Sequence, residues 1–284
     1  MVEIKKLNSK NFPPLLGEIN DPPEHLYLRG TLPPTPLKLL AVVGSRRMSN
    51  YGKEACEYLI KGLSGYPVGI VSGLALGIDG VAHRAALDAG LYTIAVPGSG
   101  LSEEALYPRA HVSLAHQILD AGGGLLSEME PDEKATPYGF PRRNRIMAGM
   151  SHAVLIIEAG LKSGTLITAR LASEYNRELL IVPHSIFAEG GAGGHLFMGL
   201  GARPVRSATD ILDALSIQKE EEVQKNIELT SEESRVFEIL TSPMPRDELI
   251  RSLGLPIGSA NVLLAQMEIR GIITESMGQI RKNL

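Results

Sequence analysis

From Leu37 onward, short uninterrupted apolar runs alternate with amphipathic stretches of helical period, and no other feature restricts the fold as much. The runs are LKLLAVV, VGIV (68–71), YTIAV (92–96), GLLSE (124–128), AVLIIEA (153–159), LLIVP (179–183) and ARPV (202–205). Between them lie YGKEACEYLIKGL, DGVAHRAALDAG, HVSLAHQILDAG, RNRIMAGM, TLITARLASEYN and ATDILDAL. Strands that are apolar along their whole length, separated by helices, form a parallel sheet covered on both faces. The expected fold class is therefore α/β. Residues 37–217 should form an extended Rossmann-like, doubly wound, mostly parallel sheet.

The flanks obey different rules. Residues 1–36 are rich in proline and lack either periodicity, which predicts an extended, irregular arm lying on the sheet domain. Residues 218–228 are charged and aperiodic and read as a linker. Residues 229–284 then offer three short helical patterns, TSEESRVFEIL, PRDELIRSLG and IGSANVLLAQMEIRG, and a hairpin around Gly278. Thr230 or Ser231 has the look of an N-cap. Three helices and a hairpin in this length are the plan of a small winged-helix domain.

Composition removes several function classes. The chain has 284 residues, is 44% hydrophobic and carries a formal charge of −4, so it does not coat DNA through global basicity, although a local basic pocket is allowed. Cys56 is the single cysteine, which excludes an internal disulfide and a cysteine-based zinc site. No stretch has the length of a membrane span or the apolar core of a signal peptide, and a cytoplasmic protein is expected. The sequence contains no G-x-x-x-x-G-K-[ST], no G-x-G-x-x-G and no G-x-S-x-G, so ATP hydrolysis, NAD binding and a serine nucleophile are disfavoured. No catalytic residue, metal or cofactor is expected.

In a doubly wound sheet, ligands gather beyond the carboxyl ends of the strands. After the first run comes GSRRMSNYG, where Gly44 permits a tight turn, Ser45 offers a donor and Arg46 can close on an anion. After the second comes SGLALGIDGVAH, with Ser72, Gly73 and a natural N-cap in Asp79. EAGLKSGTLITA places Ser163, Gly164 and Thr165 at the opening of a helix. Finally, FPRRNRIM carries Arg142, Arg143 and Arg145 around Asn144, with no acid among them. Arginines at a helix N-terminus oppose the helix dipole, which makes sense where an anion fills the site. Phe140 stands just before them. An aromatic face beside phosphate-binding arginines suits single-stranded nucleic acid, and a solvated arginine face beside a core phenylalanine is the equally weighted alternative. Asp79 and His83, four residues apart on one helix, read as a local structural pair. A metal site from His184, Glu189 and His195 is disfavoured.

VVGSRRMSNYG, IVSGLALGIDGVAHRAALDAG, TIAVPGSGL, LLSE, FPRRNRIMAGMS and EAGLKSGTLITARLA follow one another in the order and spacing of the DNA-processing protein A (DprA, or Smf) family, which this sequence resembles over residues 17–215. The resemblance implies a protein that binds single-stranded DNA, protects incoming DNA and helps load RecA onto it in natural transformation. It implies a homodimer and no enzymatic activity. Carried over, the DNA contacts fall on Gly44, Ser45, Arg46, Ser72, Gly73, Phe140, Arg142, Arg143, Asn144, Arg145, Ser163, Gly164 and Thr165. Three positions depart from the family pattern: Leu76 stands where an arginine is usual, His184 replaces a glycine and His195 replaces an asparagine. The competing enzyme reading is a phosphoribohydrolase-like protein acting on nucleotides. Residues 218–284 hold 8 basic and 11 acidic side chains, which disfavours duplex DNA and favours a protein contact for the winged helix.

Overall fold

The structure is a computed structural model that describes residues 2–218, 229–276 and 278–282. The chain divides into two units, Met1–Lys219 and Glu220–Leu284. The linker expected at 218–228 lies outside the described residues apart from Gln218.

The first unit is built on a nine-stranded sheet. Its strands are β1 (Ile4–Asn8), β2 (His25–Gly30), β3 (Lys38–Val43), β4 (Val68–Ser72), β5 (Tyr92–Ala95), β6 (Gly124–Ser127), β7 (Ala153–Ile156), β8 (Glu178–Ile181) and β9 (Arg203–Pro204). They are ordered β1-β2-β6-β5-β4-β3-β7-β8-β9. From β6 to β9 every pairing is parallel. Seven helices cover the faces: α1 (Asn50–Lys61), α2 (Ile78–Asp88), α3 (Val112–Asp120), α4 (Gly139–Met150), α5 (Thr165–Glu174), α6 (Ala192–Gly199) and α7 (Ala208–Ala214).

The alternation of side chains along β3 assigns the layers. Leu40 and Val42 pack with Leu59 and Ile60 of α1, Ile78 and Ala82 of α2, and Ile211 of α7. Leu39, Ala41 and Val43 point to the opposite face, where Met147 and Met150 of α4 and Ala169 of α5 close the second layer. Both faces are apolar because both are covered, which is why the strands read as continuous runs.

Residues 1–36 differ from the irregular arm expected of them. β2 pairs antiparallel with β6, from Tyr27↔Ser127 to Gly30↔Gly124, and β1 pairs antiparallel with β2. The segment thus extends the sheet. Its prolines fall outside the strands, where no ladder donor is needed: Pro13, Pro14, Pro22 and Pro23 between β1 and β2, and Pro33, Pro34 and Pro36 between β2 and β3. The β1–β2 connection packs on α4, with Leu16 and Ile19 within contact distance of Gly149.

The second unit holds α8 (Ser231–Ile239), β10 (Met244–Pro245), α9 (Arg246–Leu253), α10 (Ile257–Ile269), β11 (Ile273–Ser276) and β12 (Gln279–Lys282). Its strands form an antiparallel sheet ordered β10-β12-β11, the wing of a winged helix. Thr230 caps α8 in a reciprocal box with Glu233. Val236, Leu249, Leu264, Met267 and Ile280 form a core of its own. Among the described residues, no helix is long and apolar enough to cross a membrane.

Candidate nucleic-acid interface

The chain runs from β3 outward through β4, β5 and β6, then returns to β7 on the other side of β3. Strand order therefore reverses between β3 and β7, and the loops leaving their carboxyl ends diverge. A cleft of about 720 Å³ opens there. Gly44, Ser45, Arg46 and Arg47 line it from the β3 loop; Gly160, Ser163, Gly164 and Thr165 line it from the β7 loop and the start of α5. Phe140, Pro141, Arg143 and Asn144 of α4 form the third wall, with Asp79 on the floor.

The β3 loop is fixed by close approach. A side chain at Gly44 would meet Ile78 at 2.6 Å. Gly77, at φ +80°, lets its backbone lie against Ser45, whose carbonyl accepts from Ile78 N at 3.1 Å. Ser45 Oγ in turn accepts from Arg47 N at 3.0 Å. At the end of the loop, Ser49 caps α1 through Gly52 N (3.0 Å). It also gives both its amide (3.0 Å) and its hydroxyl (2.8 Å) to the buried carboxylate of Glu158. The same carboxylate packs so closely on Gly190 that a side chain there would meet it at 2.4 Å. Glu158 thereby ties together the loops that follow β3, β7 and β8.

Phe140 is half-buried and wedged. A side chain at Gly98 would strike its ring at 2.5 Å, and the Tyr107 ring lies 6.0 Å away. The guanidinium of Arg46 stands 4.7 Å from the ring centroid. Arg46 itself is exposed. A cation is thus held against an aromatic face at the mouth of the cleft.

The three arginines of α4 take three different roles. Arg142 is exposed and reaches Glu128 at 3.1 Å. Arg145 is buried; it makes two 2.7 Å bonds to the Glu128 carboxylate and donates to the Asp21 carbonyl at 2.7 Å. Arg143 is also buried and donates to the Val96 carbonyl at 2.5 Å and to Asn144 Oδ1 at 2.9 Å, with Asp79 at 3.5 Å. The protein's own acids thus offset the charge at the start of this helix. Of the expected basic contacts, Arg46 is the one whose side chain is exposed at the cleft wall. Arg47 is a second, and sequence reasoning passed over it although it sits beside Arg46.

Ser72 and Gly73 lie below the cleft rather than in it. Ser72 is buried and donates to the Val42 carbonyl at 2.7 Å. Gly73 is the seat of the Arg143 guanidinium: a side chain there would lie 1.5 Å from Nη1. Asp79 does not cap α2 in the expected way. The cap position is Gly77, and the Asp79 carboxylate turns back to accept from Gly73 N (3.1 Å) and Ala75 N (3.3 Å). Burial pushes its carboxyl above the usual range, and Arg143 opposes the shift. Nor do Asp79 and His83 form a pair. His83 is fully buried and meets Thr93 Oγ1 at 2.8 Å, and burial lowers its pKa to about 3.

At the β7-loop wall, Ser163 donates to Thr165 Oγ1 at 2.9 Å and accepts from Thr165 N at 3.2 Å, fixing the turn that opens α5. His195 Nε2 lies 3.0 Å from the His184 carbonyl, and the His184 ring meets Tyr51 edge-on at 4.8 Å. Among the described residues, no cluster of His, Cys, Asp and Glu side chains has the arrangement to hold a metal.

A doubly wound sheet with a glycine- and arginine-lined cleft at its reversal point, followed in the chain by a winged helix, defines a class of Rossmann-like proteins. Residues 3–216 match the family model described as DNA recombination-mediator protein A, residues 220–279 match the DprA winged helix domain, and the chain belongs to this family. It is 43% identical over 208 residues to Protein Smf of Escherichia coli (strain K12), covering 73% of this chain and 55% of that protein. It thus spans about half the length of that relative. It is 42% identical over 199 residues to the DNA processing protein DprA of Streptococcus pneumoniae, covering 69% of this chain and 68% of that one. Among solved structures, DprA from Streptococcus pneumoniae superposes with a TM-score of 0.69 at 39% identity, over 74% of each chain. DNA processing protein A from Helicobacter pylori, described for its single-stranded DNA binding mode, superposes with a TM-score of 0.66 at 30% identity, over 76% of this chain and 96% of that one.

Proposed function

We propose that this protein binds single-stranded DNA in the cleft between the β3 and β7 loops. On this reading it works as a homodimer in the cytoplasm and helps load RecA onto incoming DNA that it protects. The observation that carries the DNA reading is the Arg46–Phe140 contact at the cleft mouth. Single-strand binders pair a cationic track for phosphates with aromatic faces for bases, and that pair stands here on one wall. Arg46 and Arg47 would hold phosphates. The turns at Gly44–Ser45 and Ser163–Gly164–Thr165 would cap them with short polar groups. Phe140 would stack, Asn144 would face the strand, and Arg142 would extend the track at its edge.

Ser72, Gly73, Arg143 and Arg145 enter this reading as the foundation of the wall. The Helicobacter pylori relative, named for single-stranded DNA binding, supports the same choice of ligand. No bond is made or broken in this function, and it needs neither a catalytic residue nor a cofactor.

The test is fluorescence anisotropy with a labelled oligo-dT and the matching duplex across a salt series. Phosphate contacts release counterions, so the logarithm of the single-strand binding constant should fall linearly with the logarithm of salt concentration. A duplex preference, or binding indifferent to salt, would overturn the assignment. Release of base from nucleotides would replace it with the phosphoribohydrolase reading.

A further inference from the structure

The loop that follows β8 ends in an unusual surface. Ser185 and Ala188 close a turn through a 2.9 Å backbone bond, and Phe187 N reaches Ser185 Oγ at 3.3 Å. The two residues at the tip are Ile186, 83% exposed, and Phe187, 90% exposed. Leu161, 65% exposed, stands on the β7 loop, followed by the exposed Lys162. The two loops are joined: Ala159 N donates to the Gly190 carbonyl at 2.7 Å, and Gly193 N to the Ala159 carbonyl at 2.8 Å. Gly160, between these anchors and Leu161, lines the cleft, and a side chain there would lie 3.4 Å from the Glu189 carbonyl. The apolar tip therefore stands on a loop bonded to the one that forms the cleft's β7 wall.

We propose that Phe187 is a second base-stacking platform, which takes the bases of a single strand that leaves the cleft over the β7 loop. This inference rests on the single-stranded DNA reading and deepens it. A fully exposed aromatic ring at the tip of a hydrogen-bonded turn has little packing to lose and a whole face to offer. Lys162 lies in the adjoining loop, where a phosphate between the two platforms would pass. Lys162 would supply the cation and Phe187 the ring, each from its own loop. Stacking accepts every base, so this platform would lengthen the bound strand without adding sequence preference.

The experiment compares wild type, Phe187→Ala and Phe187→Tyr with labelled oligo-dT of graded length, and with a long oligonucleotide abasic at one end. Binding of long oligo-dT should fall about five- to tenfold in Phe187→Ala and recover in Phe187→Tyr. Binding of the shortest oligonucleotide that wild type retains should not change. The abasic strand should lose affinity with wild type and show a smaller difference between wild type and the alanine variant. Equal binding of every length by all three proteins overturns the inference while leaving the cleft assignment intact. A change in the sedimentation of Phe187→Ala without DNA also overturns it, because the tip would then be covered by a second copy. Absence of single-strand binding by wild type would sink the underlying reading instead.

Discussion

The guanidinium of Arg46 lies 4.7 Å from the centre of the Phe140 ring, so the loop after β3 and the first turn of α4 meet through one cation and one aromatic face. Each side chain orients the other. Arg46→Ala should leave the melting temperature nearly unchanged, since an exposed contact of this type is worth about 0.5–1 kcal/mol. Single-strand affinity should drop about tenfold at low salt, with a shallower salt dependence. Anisotropy on Arg46→Ala, Phe140→Ala and the double variant gives the coupling directly. Full additivity would mean that the two residues act separately.

Arg142 and Arg145 share Glu128 but differ in exposure, and their variants should separate. Arg142→Ala should cost less than about 1 kcal/mol of stability, because its side chain is 69% exposed. Arg145→Ala leaves the Glu128 carboxylate, 12% exposed, without the Nη2 group that bonds both of its oxygens and with the exposed Arg142 as its remaining arginine. That should cost about 3 kcal/mol or more by urea denaturation. A small effect of Arg145→Ala would show that Arg142 or water replaces the guanidinium.

Gly73 has no room for a methyl group, because the Arg143 guanidinium occupies the space. Gly73→Ala should displace Arg143 from the Val96 carbonyl and from Asp79. A loss of about 1–3 kcal/mol is expected from overpacking, together with weakened DNA binding. A variant with unchanged stability and unchanged binding would show that the floor of the cleft is slack.

His83 makes stability depend on pH. Its folded pKa is depressed to about 3 by burial, against an ordinary value near 6.5. Between these values the unfolded chain binds a proton that the folded chain refuses. The contribution is complete above about pH 6.5 and is lost as pH falls towards 3, with a slope of at most about 1.4 kcal/mol per unit. Urea midpoints measured from pH 7.5 to 5 should decline in wild type and decline less in His83→Gln. Parallel declines would assign the pH dependence to other groups.

The parallel strands β3 to β8 were legible because they are buried on both faces and read as apolar runs. β1 and β2 were not. β1 is half-exposed and β2 finds its partner in β6, almost a hundred residues later, which no local pattern records. The glycine and serine turns around the cleft could be read from chain order, as could Arg46 and Phe140. The partners of the α4 arginines could not, since Asp21, Asp79 and Glu128 all come from outside the helix. For the same reason the Asp79–His83 spacing misled: burial turned the two side chains to different partners, Arg143 and Thr93.

The pairing of β2 with β6 also sets an order of events during synthesis. β2 leaves the ribosome as an apolar strand, yet it has no second neighbour inside the sheet until Ser127 has followed. The connection behind it waits longer. Asp21 is held by Arg145 and Tyr175, and the Leu15 carbonyl by Arg177. A segment made before the rest of the sheet is therefore among the last to dock, a closure between distant segments that is slow in folding. Until residue 177 has emerged, the segment that finally seals one edge of the sheet stays undocked and open to chaperones and proteases.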